Sequence, residues 1–237
     1  MNSIMIAKII DLLPQQITQK VSKTIIYYLL KRYAQIQVEG LEQLEQCHTP
    51  TIFICNHLSN ADGLILNQVL RKLDPTFVAG IKLSNNPVTQ IGMNAIKTIS
   101  IKPQSADIEG LKSMIKNIKQ GENLVIFPEG TRSRVGSMIE AKKGIFVIAQ
   151  MTGAPIVPIG LYGTEKLLPI DSNENMSTER FHKATVNVHI GKQFRLPKRS
   201  KEQDKKVYDA YVTQYAMEQI SQLLPEIYRG VYALSSV

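Results

Sequence analysis

Blocks of apolar and polar residues alternate along this chain and predict strands and helices in turn. Short runs rich in β-branched residues predict strands at 51–55, 76–80, 97–102, 123–127, 155–160 and 184–190. Apolar residues at helical spacing predict helices between the strands, at 62–72, 84–95, 107–120 and 143–152, and a longer helix at about 202–224. Such alternation indicates an α/β fold with a mostly parallel mixed sheet flanked by helices.

The N-terminal residues have a different pattern. The sequence predicts a short helix at residues 3–13 that is apolar over most of its circumference and ends at Pro14. A second predicted helix, residues 15–34, carries apolar residues along one face: Ile17, Val21, Ile25, Tyr28 and Leu29. We therefore expect an amphipathic two-helix segment at 1–38, followed by an α/β domain at 39–237. The segment fits either a helical hairpin packed on the core or an anchor in the membrane interface.

Charge and cysteine content narrow the classes of function. The formal net charge is +8 over 237 residues, which suits an anionic membrane, a nucleic acid or an acidic substrate. Most of the excess lies in residues 1–34 and 192–206. Cys47 and Cys55 lack metal or redox spacing and the histidines are scattered, so no metal site is expected. No apolar run reaches the roughly 18 to 20 residues that span a bilayer.

A strand that ends in Asn56 and His57 is the first candidate for chemistry. The apolar run 51–55 stops there, and an apolar helical pattern resumes after Asp62. Ligands bind at the carboxyl ends of strands in open α/β sheets. On one helix His57 and Asp62 would point apart, but across a strand-to-helix turn the carboxylate can accept from one imidazole nitrogen. The other nitrogen would then be free to act as a base.

A second strand ends in a turn suited to phosphate. The apolar run 123–127 leads into Pro128, Glu129, Gly130, Thr131, Arg132, Ser133 and Arg134. Gly130 permits close approach of the backbone, and an arginine carries a planar donor fork that matches phosphate oxygens. We expect this turn to meet His57 at one edge of the sheet.

Together these motifs resemble the glycerolipid acyltransferase family, whose best-known members are the 1-acyl-glycerol-3-phosphate acyltransferases. The matching residues are Asn56-His57-x-Ser59-x-x-Asp62 and Phe127-Pro128-Glu129-Gly130-Thr131-Arg132-Ser133, with Lys143-Gly144 and Ile156-Val157-Pro158-Ile159 as further blocks. One block departs from the family pattern. Lys102 ends the predicted strand 97–102, where the family usually has an arginine, so the charge is kept but the bidentate fork is lost.

The resemblance implies a reaction and roles for these residues. A fatty acyl group would pass from an acyl thioester to the sn-2 hydroxyl of 1-acyl-glycerol 3-phosphate, giving phosphatidic acid. His57 would be the general base and Asp62 would fix its tautomer. The expected substrate-binding residues are Lys102, Glu129, Gly130, Thr131 and Arg132.

Within that set, each residue has an expected task. Arg132 and Lys102 would hold the acceptor phosphate, with Arg134 a weaker candidate. Glu129 would orient the acceptor hydroxyls or the arginine. The tetrahedral oxyanion would take N–H donors from the turn of Gly130 and Thr131.

The implied mechanism needs no metal or resident cofactor, only acyl-CoA or an acyl carrier protein thioester as co-substrate. The chain has no Gly-x-Ser-x-Gly elbow, and Cys55 lies in an apolar strand. We therefore expect direct attack by the acceptor hydroxyl, without an acyl-enzyme.

Lysophospholipids reside in bilayers, so the resemblance also implies a peripheral protein at the cytoplasmic face of an anionic membrane. The basic residues at 192–206 would meet lipid, an acidic acyl carrier protein, or only solvent. Two enzymatic alternatives keep the fold but take glycerol 3-phosphate or another lysophospholipid as acceptor. Two alternatives come from other classes of protein. A nucleic-acid-binding role is disfavoured because the sequence contains no recognisable nucleic-acid-binding module. A catalytically silent lipid-binding scaffold is disfavoured because it would not need the base.

Overall fold

The structure, a computed structural model, describes residues 10, 12–81, 87–102, 107–143, 145–171 and 176–233. The strands are β1 (Ala34–Glu39), β2 (Ile52–Cys55), β3 (Thr76–Gly80), β4 (Thr98–Ile101), β5 (Leu124–Ile126), β6 (Ile156–Tyr162) and β7 (Ala184–Ile190). The helices are α1 (Gln15–Tyr33), α2 (Glu42–Glu45), α3 (Asp62–Val69), α4 (Pro87–Ala95), α5 (Ile108–Lys119), α6 (Val147–Thr152), α7 (Thr164–Leu167) and α8 (Lys205–Ser221). Two 3₁₀ turns, Glu226–Tyr228 and Gly230–Tyr232, follow α8.

The strands form one mixed sheet in the order β1-β7-β6-β2-β5-β3-β4. All neighbouring strands pair in parallel except β6 and β7, which are antiparallel. The predicted α/β class and mixed sheet are confirmed, as are the six predicted strands and the helices between them, with ends that differ by a few residues. The predicted helix at 3–13 lies largely outside the described residues.

Strand β1 was not among the predicted strands. Residues 34–39 alternate between half-buried and exposed positions, and they pair in register with all of β7 from Ala34↔Ala184 to Glu39↔His189. Apolar residues at every second position from Ala34 to Val38 carry that signal. The expected division between residues 38 and 39 passes through this strand, so residues 34–38 belong to the sheet.

Helix α1 packs against α4, and only part of its predicted apolar face is covered: Val21, Ile25 and Leu29 are half-buried. Its buried residues are Thr18, Ser22 and Leu30, whereas the Ile17 and Tyr28 side chains are exposed. The Thr18 hydroxyl donates to the carbonyls of Ile10 and Leu13, each at 3.0 Å, so the segment before α1 covers this position. None of the helices in the described ranges is long and apolar enough to cross a membrane.

Apolar residues of the central strands point alternately to two cores, one on each face of the sheet. Phe53 and Cys55 of β2 pack with residues of α3 and β7 on one face. Ile52 and Ile54 pack with residues of α5 and α8 on the other. Burial on both faces explains why these strands are continuously apolar.

The two edges of the sheet differ in what they carry. Strands β2 to β6 all end at one edge, called here the carboxyl edge, and β1 and β7 begin there because β7 is antiparallel to β6. The C-terminal end of helix α1, which leads directly into β1, therefore lies at the carboxyl edge. Residues 191–195 lie at the opposite edge, since Phe194 bridges to Ile156, the first residue of β6. The basic residues that begin at Lys192 thus start on the far side from His57.

Candidate active site

His57 and Asp62 form a hydrogen-bonded pair at the carboxyl edge. The loop after β2 carries His57, and Asp62 opens α3. The imidazole Nδ1 lies 2.7 Å from Asp62 Oδ2, and the same oxygen accepts from the N–H groups of Leu58 at 2.7 Å and Ser59 at 2.8 Å. Asp62 is fully buried, while the His57 side chain is 19% exposed. The turn thus converges on one carboxylate oxygen, which sets the position of the ring.

Phe127, at the end of β5, fixes the plane of that ring. The rings of His57 and Phe127 stack with 4.2 Å between centroids and 21° between planes. With Nδ1 bound to Asp62, Nε2 is the nitrogen that remains for a substrate proton. This is the arrangement of the base and its orienting acid in a catalytic triad, without the nucleophile.

Glu129 has a different role from the one expected. Its side chain is fully buried, with Oε1 accepting from the His57 N–H at 2.8 Å and Oε2 accepting from the Ile139 N–H at 3.1 Å. Burial raises the pKa of Glu129 to about 7, the two backbone bonds oppose that rise, and Asp62 adds to it. Both oxygens accept from the main chain, and the Arg132 guanidinium donates to Glu179, so Glu129 supports the backbone of His57 and is not the acid that holds Arg132. That Glu129 also orients an acceptor hydroxyl stays a prediction.

A second main-chain bond joins the two motifs. The Ser133 N–H donates to the His57 carbonyl at 2.7 Å, and the buried Ser133 hydroxyl donates to the Ser137 carbonyl at 2.5 Å. Ser133 therefore closes its own loop and ties it to the loop of His57. Arg132, its neighbour in sequence, is carried to the same place.

Arg132 is held by an acid that the sequence analysis did not single out. Its Nη1 donates to Glu179 Oε1 at 2.7 Å, and Asn60 Nδ2 donates to Glu179 Oε2 at 2.8 Å. The Arg132 side chain is 17% exposed and that of Glu179 only 3%. Glu179 lies far along the chain in a polar stretch between α7 and β7, so no periodicity or spacing pointed to it.

The comparisons with known proteins identify the family. An acyltransferase family model matches residues 35–162, more than half of the chain. The chain belongs to the acyltransferase family.

Relatives and a solved structure agree with this membership. A 1-acyl-sn-glycerol-3-phosphate acyltransferase of Brassica napus is 34% identical over 143 residues, which cover 59% of this chain and 41% of that protein. A 1-acyl-sn-glycerol-3-phosphate acyltransferase of Saccharomyces cerevisiae is 27% identical over 161 residues, 65% of this chain and 52% of that protein. This chain thus matches about half or less of each of these relatives.

The crystal structure of the 1-acyl-sn-glycerophosphate acyltransferase PlsC from Thermotoga maritima has a similar fold. Its TM-score is 0.63 at 24% identity, and the match covers 88% of this chain and 80% of that one. The acyltransferase resemblance and fold expected from the motifs are therefore confirmed.

Gly130 and Thr131, two further residues expected to bind substrate in this acyltransferase, lie with Glu129 and Arg132 in the turn after β5. Gly130 has φ +66°, and its N–H donates to the Phe127 carbonyl at 3.0 Å. That N–H is engaged inside the turn, and the expected binding of an oxyanion by the turn of Gly130 and Thr131 stays a prediction. Thr131 is exposed beside Arg132.

Lys102 follows β4, the last strand of the sheet. Three strand spacings, about 14 Å in total, separate the main chains of β4 and β2. The Lys102 N–H donates to Asp107 Oδ2 at 2.7 Å. The structure therefore brings Lys102 to the carboxyl edge but not beside His57, whereas Arg132 follows β5, the direct neighbour of β2.

Cys55, Asn56 and Ser59 are structural. Burial, then Asp62 and Glu129, raises the pKa of the Cys55 thiol well above its usual value, so it is a poor nucleophile. Asn56 donates to the Leu161 carbonyl at 2.7 Å and accepts from its N–H at 2.8 Å. Ser59 donates to the Leu168 carbonyl at 2.7 Å. These bonds tie the His57 turn to β6 and to the end of α7.

Among the described residues, no cluster of His, Cys, Asp or Glu could hold a metal ion.

Proposed function

We propose that this protein transfers a fatty acyl group from an acyl thioester to the sn-2 hydroxyl of 1-acyl-glycerol 3-phosphate, giving phosphatidic acid. The observation that carries the proposal is the His57–Asp62 pair, with Nδ1 2.7 Å from Oδ2, tied through Ser133 to the turn of Arg132. A base and a phosphate-binding cation beside each other suit an acceptor that carries both a hydroxyl and a phosphate.

The proposed chemistry is direct attack. His57 Nε2 removes the proton as the acceptor hydroxyl attacks the thioester carbonyl, and Asp62 stabilises the imidazolium that forms. The hydroxyl oxygen forms the new ester bond, and the thiolate of the donor leaves and takes up the proton from His57. No metal and no resident cofactor take part, and acyl-CoA or an acyl carrier protein thioester is the co-substrate.

Arg132 holds the acceptor phosphate in this proposal. Its bond to Glu179 uses one donor atom of the guanidinium, and the rest of the planar fork suits a phosphate. Thr131 is exposed next to it and adds a hydroxyl. Lys102 attracts the same phosphate from farther along the edge and makes a smaller contribution.

The protein meets its acceptor at the surface of an anionic membrane, to which α1 docks. Ile17, Tyr27 and Tyr28 are exposed on α1, and α1 leads into β1 at the same carboxyl edge that carries the site. Lys20, Lys23 and Lys31 on the same helix are also exposed. Apolar side chains flanked by lysines match the interface of an anionic bilayer.

An acyl-transfer assay tests the proposal. Purified protein is incubated with lysophosphatidic acid in anionic vesicles and with acyl-CoA or acyl carrier protein thioester, and the lipids formed are identified by mass spectrometry. Phosphatidic acid is the expected product, and His57→Ala should lower kcat by roughly a hundredfold to ten-thousandfold. His48→Ala, an exposed histidine before β2, is the matched control.

Other acceptors in the same assay separate the alternatives. If glycerol 3-phosphate or another lysophospholipid is turned over faster than lysophosphatidic acid, that compound is the acceptor, and the reaction is still an acyl transfer. Near-normal turnover by His57→Ala would reject the base and with it the proposed chemistry.

A further inference from the structure

Glu179 bridges the two loops that carry the site. One carboxylate oxygen accepts from Arg132 at 2.7 Å and the other from Asn60 at 2.8 Å. Asn60 lies in the turn between His57 and Asp62, and Arg132 lies in the turn after β5. The third element, residues 176–181 before β7, thus connects the loop of the base to the loop of the cation.

The burial of this bridge distinguishes it from an ordinary surface ion pair. Exposed pairs contribute little because solvent screens them and both side chains stay mobile. Here the acid is 3% exposed and the arginine 17%. A buried carboxylate is tolerated where charge-assisted bonds satisfy it, and Arg132 and Asn60 supply one to each oxygen.

The bridge restricts a side chain that would otherwise be mobile. Arginine has many rotamers, and fixing one costs conformational entropy. Because Glu179 holds Nη1 from a buried position, that entropy is lost on folding and not on substrate binding. The rest of the planar fork then has a set direction relative to the His57 turn.

We propose that Glu179 is the positioning residue for Arg132, and that it sets the distance between the acceptor phosphate and the catalytic base. The inference rests on the proposed function, in which Arg132 binds that phosphate. Glu179 itself touches neither reacting atom. It acts by holding the guanidinium in the orientation that a phosphomonoester needs for its hydroxyl to reach His57.

Acceptor kinetics of Glu179 variants test this role. Glu179→Ala removes both bonds and should raise the KM for lysophosphatidic acid by roughly tenfold to a hundredfold, with the KM for the acyl donor unchanged. Glu179→Gln keeps an oxygen for Arg132, and the Asn60 amide can turn its own oxygen to the new NH₂, so its acceptor KM should stay near the native value. Asn60→Ala removes one of the two bonds and should give a smaller rise. Glu202→Ala, an exposed acid beyond β7, is the control.

A double-mutant cycle separates positioning from a general loss of structure. In an Arg132→Ala background, Glu179→Ala should cause no further loss of kcat/KM for the acceptor, because there is no guanidinium left to position. Equal losses in both backgrounds, an unchanged acceptor KM, or a loss confined to thermal stability would overturn the role. A lower acceptor KM in Glu179→Gln would also overturn it, since the acid would then be competing with phosphate for the arginine. A wild-type protein inactive on every phosphorylated acceptor would instead reject the proposed function.

Discussion

Asp62 presents a single oxygen, Oδ2, to His57 at 2.7 Å, and that oxygen accepts from two main-chain N–H groups as well. Within the described residues its other oxygen, Oδ1, is buried without a hydrogen-bond partner. The carboxylate therefore has two separable tasks. One oxygen organises the turn, and in the proposed reaction the negative charge of the group as a whole stabilises the imidazolium that forms.

Substitution of Asp62 by Asn separates these tasks. The amide oxygen can take the place of Oδ2 and keep all three donors, while the NH₂ group occupies the place of Oδ1. We expect the unfolding temperature of Asp62→Asn to stay close to that of wild type. Its kcat should fall by roughly a hundredfold or more, because the imidazolium loses its counter-charge. Asp62→Ala should lose both stability and activity. Calorimetry and steady-state kinetics, with Asp209→Asn on α8 as control, measure the two effects, and a near-native kcat in Asp62→Asn would contradict the assigned role.

Glu129 predicts a particular dependence of stability on pH. Burial raises its pKa from 4.5 to about 7, so between these values the folded protein holds a proton that the unfolded chain has released. The stabilising contribution is complete below pH 4.5 and is lost as pH rises towards 7, by up to about 3 kcal/mol. Glu129→Gln cannot titrate, and one of its two backbone donors loses an acceptor. Chemical denaturation across this range should show the variant gaining stability relative to wild type as pH rises, and a difference constant with pH would show that Glu129 titrates elsewhere.

Alanine substitutions at two glycines with positive φ distinguish the effect of backbone strain on stability from the effect of the turn geometry on activity. Gly130 has φ +66°, and an added Cβ would lie 2.8 Å from Lys142 Cγ, whereas Gly121 has φ +85° with open space around it. Alanine at either position should cost about 1–2 kcal/mol, because L-residues disfavour this conformation. Gly130→Ala should also lower kcat/KM for the acceptor, because the same turn carries Arg132. Gly121→Ala should leave that kcat/KM unchanged. Thermal unfolding and acceptor kinetics on both variants measure this, and equal activities would show that the Gly130 turn tolerates the change.

The location of the exposed apolar side chains on α1 predicts which surface meets the membrane. Ile17→Ser and Tyr28→Ser should weaken sedimentation with anionic vesicles, because apolar area that would enter the acyl boundary is lost. Lys198→Gln and Lys201→Gln test the other candidate for membrane contact, the basic residues of 192–206, which begin at the edge opposite His57. We expect these two variants to bind vesicles like wild type. The reverse result would assign the membrane contact to the basic residues of 192–206.

Local sequence determined the elements, the family and the pairing of His57 with Asp62. Apolar runs and helical spacing specified six of the seven strands in the part of the chain that the structure describes, because hydrophobic periodicity is a local property. The spacing of His57 and Asp62 across a strand-to-helix turn was sufficient to predict their pairing, and the motif residues identified the acyltransferase family. The strand Ala34–Glu39 was missed although its alternation is visible in the sequence, since it follows α1 without a turn residue.

Only the tertiary structure decided which residues those motifs contact. Glu129 looked like a substrate ligand, yet it accepts from the N–H groups of His57 and Ile139. Arg132 looked free for phosphate, yet Glu179 holds it from a stretch that carries no motif. Side-chain partners brought together by a parallel sheet are distant in sequence, because each crossover returns the chain to the same edge after many residues. Their identity depends on strand order and register, which no local pattern encodes.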